Sequence, residues 1–477
     1  MQVSSSGWSK VKNSIKEKIL FGNEPTAELL AILSVYFVQG ILGLSRLAVS
    51  FFLKDELGLS PAEVSALFGI TVLPWVIKPL FGFISDSFPI LGYRRRPYLI
   101  LSGILGAIAW VGMATMVHSI WAAITAITLS SLSVAVSDVI VDSLVVQRAR
   151  VESQGSAGAL QSICWSASAL GSLITAYFSG FLLEYFTTRN VFLMTAAFPL
   201  ILSGAAWLIA ESPVEKTAKE SKNSNFEDLK QQIKLLRQAV SQKEILLPTA
   251  FLFIWQATPG SESAFFFFAT NELHFQPEFL GRVRLVTSVA ALVGIWIFQR
   301  FLKSVPFRVI LGWSTVISTV LGLTTLLLVT HANRALGIDD HWFSLGDTLI
   351  LTVMGEITFM PILVLAARIC PQGVEATLFA LLMSVFNLAG LVSHELGAVL
   401  THYLGVTETN FDNLWLLITI TNLSTLLPLL FINWLPAAGE KTPEITNSIL
   451  NDQDEKNLLP NVVPELILQK SAKEAVD

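Results

Sequence analysis

The sequence predicts an all-α membrane protein: about twelve transmembrane helices in two six-helix halves around a central cavity. Three observations carry this: long apolar runs, a shortage of charge, and an internal repeat. Of 477 residues 53% are hydrophobic and only 14% are charged, where a soluble protein has about a quarter charged. The mean hydropathy is +0.62. Many apolar runs reach about 20 residues, enough to cross a ~30 Å hydrocarbon core. The net charge of −5 gives no electrostatic pull toward nucleic acid.

The spans fall in order. A polar segment of residues 1–26 with Lys10, Lys12, Lys16 and Lys18 precedes span 1, which is expected to stay uncleaved. The N-terminal half, residues 27–210, holds Ala27–Leu53, Pro61–Ile84, Pro97–Val117, Ile120–Gln147, Gly155–Tyr185 and Val191–Ala210. A polar connector covers 211–244. The C-terminal half, residues 245–435, holds Ile245–Thr270, Pro277–Phe301, Phe307–Thr330, Leu345–Ala367, Ala376–Leu400 and Leu414–Leu435. Residues 436–477 form a polar tail, expected to be disordered. Arg94–Arg96, Arg148, Arg150, Arg300, Lys303, Arg308 and Arg368 lie on one side with the N-terminal lysines; little beyond Lys54, Arg189 and Arg334 lies on the other. The first side is therefore read as cytoplasmic, with both termini. In the connector Phe226, Leu229, Ile233, Leu236 and Val240 recur at helical spacing beside Lys230, Lys234 and Arg237. This fits an amphipathic helix on the inner leaflet or a plain solvated helix.

The halves repeat each other. Glu56-Leu57 and Pro61 match Glu272-Leu273 and Pro277, 216 residues on. Ala149-Arg150, Gln154-Gly155 and Leu160 match Ala367-Arg368, Gln372-Gly373 and Leu378, 218 residues on. Both matches sit in equivalent loops. Duplicated six-span halves in one orientation describe a major-facilitator-type transporter, with its substrate site near the midplane between the halves.

Charge at membrane depth is expensive, so each such residue is a candidate site or a structural pair. Arg46, Lys78, Asp138, Asp142, Glu262, Arg282, Arg284 and Glu356 are of this kind, with His394 and Glu395 further out. Asp138 and Asp142 are four apart and share a helix face. Two carboxylates there repel, so one of them can carry a proton. The repeat maps Asp138 onto Glu356 and Arg46 onto Glu262. Spans 1, 4, 7 and 10, the cavity-lining set of major-facilitator transporters, therefore each hold a charge. The competing explanation is that these residues pair across helices, Arg46 with Glu262, and only hold the bundle together.

Lys78 next to Pro79 implies a kink in span 2; Lys78 faces the cavity or snorkels to the interface. Pro259-Gly260 should break span 7 before Glu262. Trp165, Trp255 and Phe265–Phe268 either stack a flat ligand or pack. The six histidines have no metal-ligand spacing, and no metal or cofactor is expected. Cys164 and Cys370 are read as packing thiols, not a disulfide. Gly82 to Asp86, then Gly92-Tyr93-Arg94-Arg95-Arg96-Pro97, puts an acid at the end of span 2 and a basic cluster before span 3. It is similar to the loop motif of the major facilitator superfamily, with Phe88–Leu91 inserted and Ser87 where a basic residue is common. Asp86, Arg94, Arg95 and Arg96, with Arg368, are therefore gating candidates.

These segments together resemble the folate–biopterin transporter family from about Glu28 to Trp434. The resemblance rests on Trp75, Lys78-Pro79, Ser85-Asp86 and Gly92 to Tyr98; on Asp138, Asp142, Gln161 and Trp165; on Gln256-Ala257, Thr270-Asn271 and Pro277 to Gly281; and on Ala366 to Pro371 with Gly373 to Met383. Sucrose–proton symporters share the Arg-Arg-Arg-Pro loop. The resemblance implies movement of folates and related pterins, with protons as the coupling partner. It implies a monomer in a cyanobacterial cell membrane; the lack of a long Ser/Arg-rich presequence disfavours a plastid envelope. The substrate-binding candidates are Arg46, Glu262, Asp138, Glu356, Gln161, Trp165, Arg284 and Lys78; the proton-coupling candidates are Asp138 and Asp142. A pterin edge offers paired N–H donors to a carboxylate, and the folate tail offers two carboxylates to Arg or Lys. The competing functions are a sugar–proton symporter and a transport-inactive receptor or scaffold. No nucleophile–base pair or phosphate loop suggests an enzyme.

Overall fold

The computed structural model describes residues 25–151, 154–213, 242–302, 305–368 and 375–436. The N-terminal lysines, the amphipathic connector, Cys370 and the polar tail lie outside the described residues. What is described is helical apart from loops and a bridge between Ile90 and Tyr93. Among the described residues eleven helical segments are long and apolar enough to cross a membrane. The expected twelfth, span 7, is there in two pieces. Lys243–Gln256 stops, residues 257–261 unwind, and Glu262–Phe267 resumes. Pro259 lacks the N–H and the room that a continuous helix needs, so the predicted break is found at Pro259-Gly260.

The repeat is visible in backbone detail. Span 1 is also interrupted, between Ala27–Ile41 and Leu44–Phe51, and Gly43 in that interruption is 216 residues from Pro259. Both spans end in a five-residue π-turn, Phe52–Glu56 and Phe268–Glu272. The amide of Leu57 donates to Phe52 O at 3.0 Å, and that of Leu273 to Phe268 O at 3.0 Å. Gly58 and His274 then take the same left-handed turn, with φ of 65° and 55°. Pro61 and Pro277 open the next helices at their first turn, where a missing N–H costs nothing. Span 2 kinks as predicted: it runs as Pro61–Thr71, Leu73–Val76 and Lys78–Ser87, each of the last two pieces opening next to a proline.

Four apolar clusters form the core, two in each half, and Phe267 of span 7 completes one in the N-terminal half. Large apolar side chains such as Trp121, Trp207 and Leu430 stay exposed, as lipid-facing positions do. Glycines let key helices touch. A Cβ on Gly171 of span 5 would come within 2.5 Å of Phe37 O in span 1, and one on Gly180 within 2.3 Å of Pro277 O in span 8. Such small-residue contacts replace the hydrophobic effect between membrane helices. Span 5 thus joins span 1 to span 8 and one half to the other. Span 2 and span 11 make the second seam, where Ser65 Oγ donates to His394 O at 2.9 Å. At the face opposite the arginine-rich loops, Lys54 Nζ donates to Asn271 Oδ1 at 2.8 Å and Phe51 meets Phe266 edge-on at 5.3 Å.

Candidate transport site

The charges of span 4 are held on one helix, Ile120–Val151. Asp138 is 8% exposed. The Lys78 ammonium touches its carboxylate directly and lies 3.0 Å from Asp142 Oδ2. Span 1 supplies the other partners: Gln39 Nε2 donates to Asp138 at 3.0 Å and the Tyr36 hydroxyl to Asp142 at 2.7 Å. The Trp75 ring lies 5.6 Å from the ammonium. Lys78 can reach inward because the chain restarts its helix there, after the break at Ile77. One cation thus serves two carboxylates, leaving one negative charge over. Uncompensated charge is costly in such a place. Tyr36 and Gln39 were not singled out from the sequence. Their signal was spacing: three apart on span 1, opposite acids four apart on span 4.

Arg46 lies in the first turn of the outer piece of span 1, Leu44–Phe51. Its neighbours Ser45, Leu47, Ala48 and Val49 are buried while it is exposed. It lies seven residues from Gln39, across the interruption at Leu42-Gly43. Arg284 of span 8 is close enough for the charge of Arg46 to act on it. Neither arginine pairs with a carboxylate among the described residues. Arg282 beside it pairs instead with Glu278.

Glu262 does not pair with Arg46. It lines a pocket of about 280 Å³ within the C-terminal half, with Ser261, Ser318, Asp347 and Asn422. Asp347 accepts from Thr324 Oγ1 at 2.5 Å and Thr325 Oγ1 at 2.8 Å; it too was missed, because it sits near the start of span 10 and reads as a loop-proximal acid. Glu356 backs onto Gly294 of span 8 and pairs with no described cation. Phe267 and Phe268 are packing residues, fully buried, whereas Trp255 stacks with Phe386 at 6.5 Å and Phe386 with Phe359 at 5.8 Å. The side chains of Gln161, Trp165, Asp86 and Arg368 lie outside the described residues. The arginine loop has partners within its own half: Glu211 accepts the amides of Arg94, Arg95 and Arg96 at 2.6, 3.1 and 3.0 Å, and Arg96 Nε donates to Ile209 O at 2.7 Å. Among the described residues no cluster of three or more His, Cys, Asp or Glu could hold a metal.

Residues 39–453 of the chain match the BT1 family. The chain belongs to the BT1 family. It is 63% identical to a folate-biopterin transporter of Synechocystis over 444 residues, covering 93% of this chain and 89% of that protein. It is 33% identical to folate transporter 2 of Plasmodium falciparum, over 84% and 87% of the two chains. A probable folate-biopterin transporter 2 of Arabidopsis thaliana is 31% identical over 90% and 87%. The BT1 chain also superposes on the D-xylose–proton symporter with a TM-score of 0.66 at 15% identity, covering 87% of this chain and 99% of that one. A nucleoside transporter gives 0.62 at 16% identity over 85% and 98%. These structures show the fold, that of the major facilitator transporters. The resemblance to the folate–biopterin family is therefore borne out. This BT1 protein is a multi-pass membrane transporter of small molecules and not an enzyme.

Proposed function

We propose that this protein moves folates and related pterins across a cell membrane by alternating access, driven by protons. The observation that carries the coupling is the Lys78–Asp138–Asp142 cluster, where one ammonium faces two carboxylates. The substrate class is supported by relatives named as folate and biopterin transporters and by charges of both signs at membrane depth, among them Arg46, Arg284, Asp138 and Glu356. A neutral sugar would need hydroxyl and amide partners, and two arginines without a carboxylate partner among the described residues would serve it poorly.

Proton uptake on Asp138 or Asp142 neutralises the surplus charge, and the loosened hold of Lys78 lets span 2 move against span 4. Glu356, equivalent to Asp138 in the other half, is the acid left to accept the N–H donors of a pterin edge. Gln161, Trp165 and Glu262 stay candidates for the remaining contacts. The arginine-rich face is cytoplasmic on the distribution of Lys and Arg, and Asp86 with Arg94–Arg96 and Arg368 guards that side. The test is uptake into proteoliposomes of labelled folate, biopterin and sucrose, with and without an imposed pH gradient. Folate or biopterin uptake stimulated by the gradient is expected. Uptake of sucrose alone, or of nothing, would sink the proposal.

A further inference from the structure

Arg46 and Arg284 come from different halves of the protein, yet depth and register place them at one level. The first is depth. Arg46 lies past the middle of span 1, Ala27–Glu56, and Arg284 lies before the middle of span 8, Pro277–Leu302. At 1.5 Å per residue both sit about 7 to 8 Å from mid-span, toward the face that carries Lys54. The second is register on span 5, which touches both helices. Gly40 of span 1 abuts Gly171, and Gly281 of span 8 abuts Gly180. Span 5 runs parallel to span 1 and antiparallel to span 8. Six residues on from Gly40 and three on from Gly281 both lead to the level of Tyr177.

Two guanidinium groups at one depth, with no carboxylate partner among the described residues, repel each other across the seam between the halves. The acids of the cavity do not relieve this. Gln39, which marks the level of Asp138, is seven residues from Arg46, about 10 Å along the helix. What fits is a ligand that brings two negative charges of its own. Each guanidinium can take a carboxylate through two parallel hydrogen bonds.

Building on the folate reading, we infer that Arg46 and Arg284 form a two-sided clamp for a dicarboxylate, one arginine from each half taking one carboxylate of the substrate's glutamate end. The substrate is then oriented with its anionic end toward the Lys54 face and its pterin toward Glu356 and Asp138. It also becomes the bridge that draws the two halves together where the protein holds like charges.

The test is thermal stabilisation of the purified protein by three probes: p-aminobenzoylglutamate, with two carboxylates; p-aminobenzoate, with one; and biopterin, with none. The wild type should bind the dicarboxylate best of the two benzoyl probes. Arg46→Gln and Arg284→Gln should each weaken it by about tenfold or more, leaving biopterin essentially unchanged. Arg284→Lys, which keeps charge but not the fork, should fall between. Without ligand the Gln variants should melt no lower than the wild type, because a repulsion is gone; a merely structural arginine would lower the melting point. Equal losses for biopterin and the dicarboxylate, a lowered melting point, or no preference for the dicarboxylate in the wild type overturns the clamp. If these binding results hold while proteoliposomes take up no folate, the clamp stands and the folate reading falls.

Discussion

Lys78 lies 3.0 Å from Asp142 while it also holds Asp138, so one ammonium on span 2 answers for two carboxylates on span 4. Tyr36 and Gln39 of span 1 complete the arrangement with a single donor to each acid. Three helices of one half therefore meet through a cluster whose formal charge is −1 when both acids are ionised. Any change in its protonation alters the force between spans 2 and 4.

Asp138→Asn is expected to abolish accumulation of folate against a gradient while leaving substrate exchange. The amide keeps the shape and a hydrogen bond from Gln39 but takes up no proton. Counterflow and pH-driven uptake in the same proteoliposomes check this. A variant that still concentrates substrate with the wild-type pH dependence would remove Asp138 from coupling.

Charge balance ranks two further substitutions. Asp142→Asn leaves one acid with one ammonium, a neutral set. Lys78→Gln leaves two adjacent carboxylates with no cation, and breaking a buried ion pair in this way costs about 3–5 kcal/mol. Lys78→Gln should therefore lower the melting temperature well below that of Asp142→Asn, and Asp138→Asn added to Lys78→Gln should recover part of the loss. The ranking is read from unfolding in detergent, and an equal drop for both single variants would contradict it.

The span count, the repeat, the kink at Lys78-Pro79 and the break at Pro259-Gly260 were legible because proline and hydrophobic period act locally. Asp138 and Asp142 were legible because carboxylates in an apolar run are rare. Their partners were not, because contact between Tyr36 and Asp142 depends on how two helices rotate about their axes, which no local pattern records. Arg46 shows the same limit. The repeat pairs it with Glu262 in sequence, but the two equivalent positions are related by symmetry and need not face each other. Glu262 turns into its own half, and the neighbour of Arg46 is Arg284, a residue with no counterpart in the repeat argument.

Gly180 should tolerate no side chain. A Cβ there would lie 2.3 Å from Pro277 O and 2.7 Å from Gly281 Cα, both backbone atoms that cannot step aside. Gly180→Val is expected to destabilise the seam between the halves by about 1–3 kcal/mol or more, seen as a lower melting temperature and loss of a monodisperse peak. Gly112→Ala, whose Cβ would meet nothing within 4 Å, is the control. Equal behaviour of the two would mean that spans 5 and 8 do not approach as closely as described.

The arginine loop should depend on Glu211 for its shape and on Asp86 for gating. Glu211 takes three consecutive amides, so Glu211→Gln, with one acceptor oxygen in place of two, should speed proteolytic cutting between Tyr93 and Arg96. Asp86→Asn should instead raise labelling of a cysteine placed in the arginine-side half of span 5, without faster cutting. Unchanged labelling would reduce the arginines to a topology signal.

Opening of the face that carries Lys54 should be controlled by Asn271. Its Oδ1 accepts from Lys54 at 2.8 Å and its Nδ2 donates to Glu408 O at 2.9 Å, so the amide ties span 1 to span 7 and to the loop before span 12. The bond to Lys54 joins the paired π-turns, five-residue segments that are less stable than α-helix and recur at functional positions. On the proposed alternating-access cycle, Lys54 and Asn271 part once in each turnover. Asn271→Ala removes both bonds and should raise labelling, from the Lys54 face, of a cysteine in place of Ser50, one helical turn from Arg46. Asn271→Asp replaces a neutral acceptor with an anion. The bond from the Lys54 ammonium, which already has Asp55 as a partner, becomes an ion pair across the two spans, so labelling should fall below wild type and uptake should slow, although the donor to Glu408 is lost. Lys54→Ala placed in the Asn271→Asp background should reverse that protection, because the added strength exists only between the two charges. Labelling that rises for Ala and Asp alike would show that the bond to Glu408, not the one to Lys54, holds this face shut.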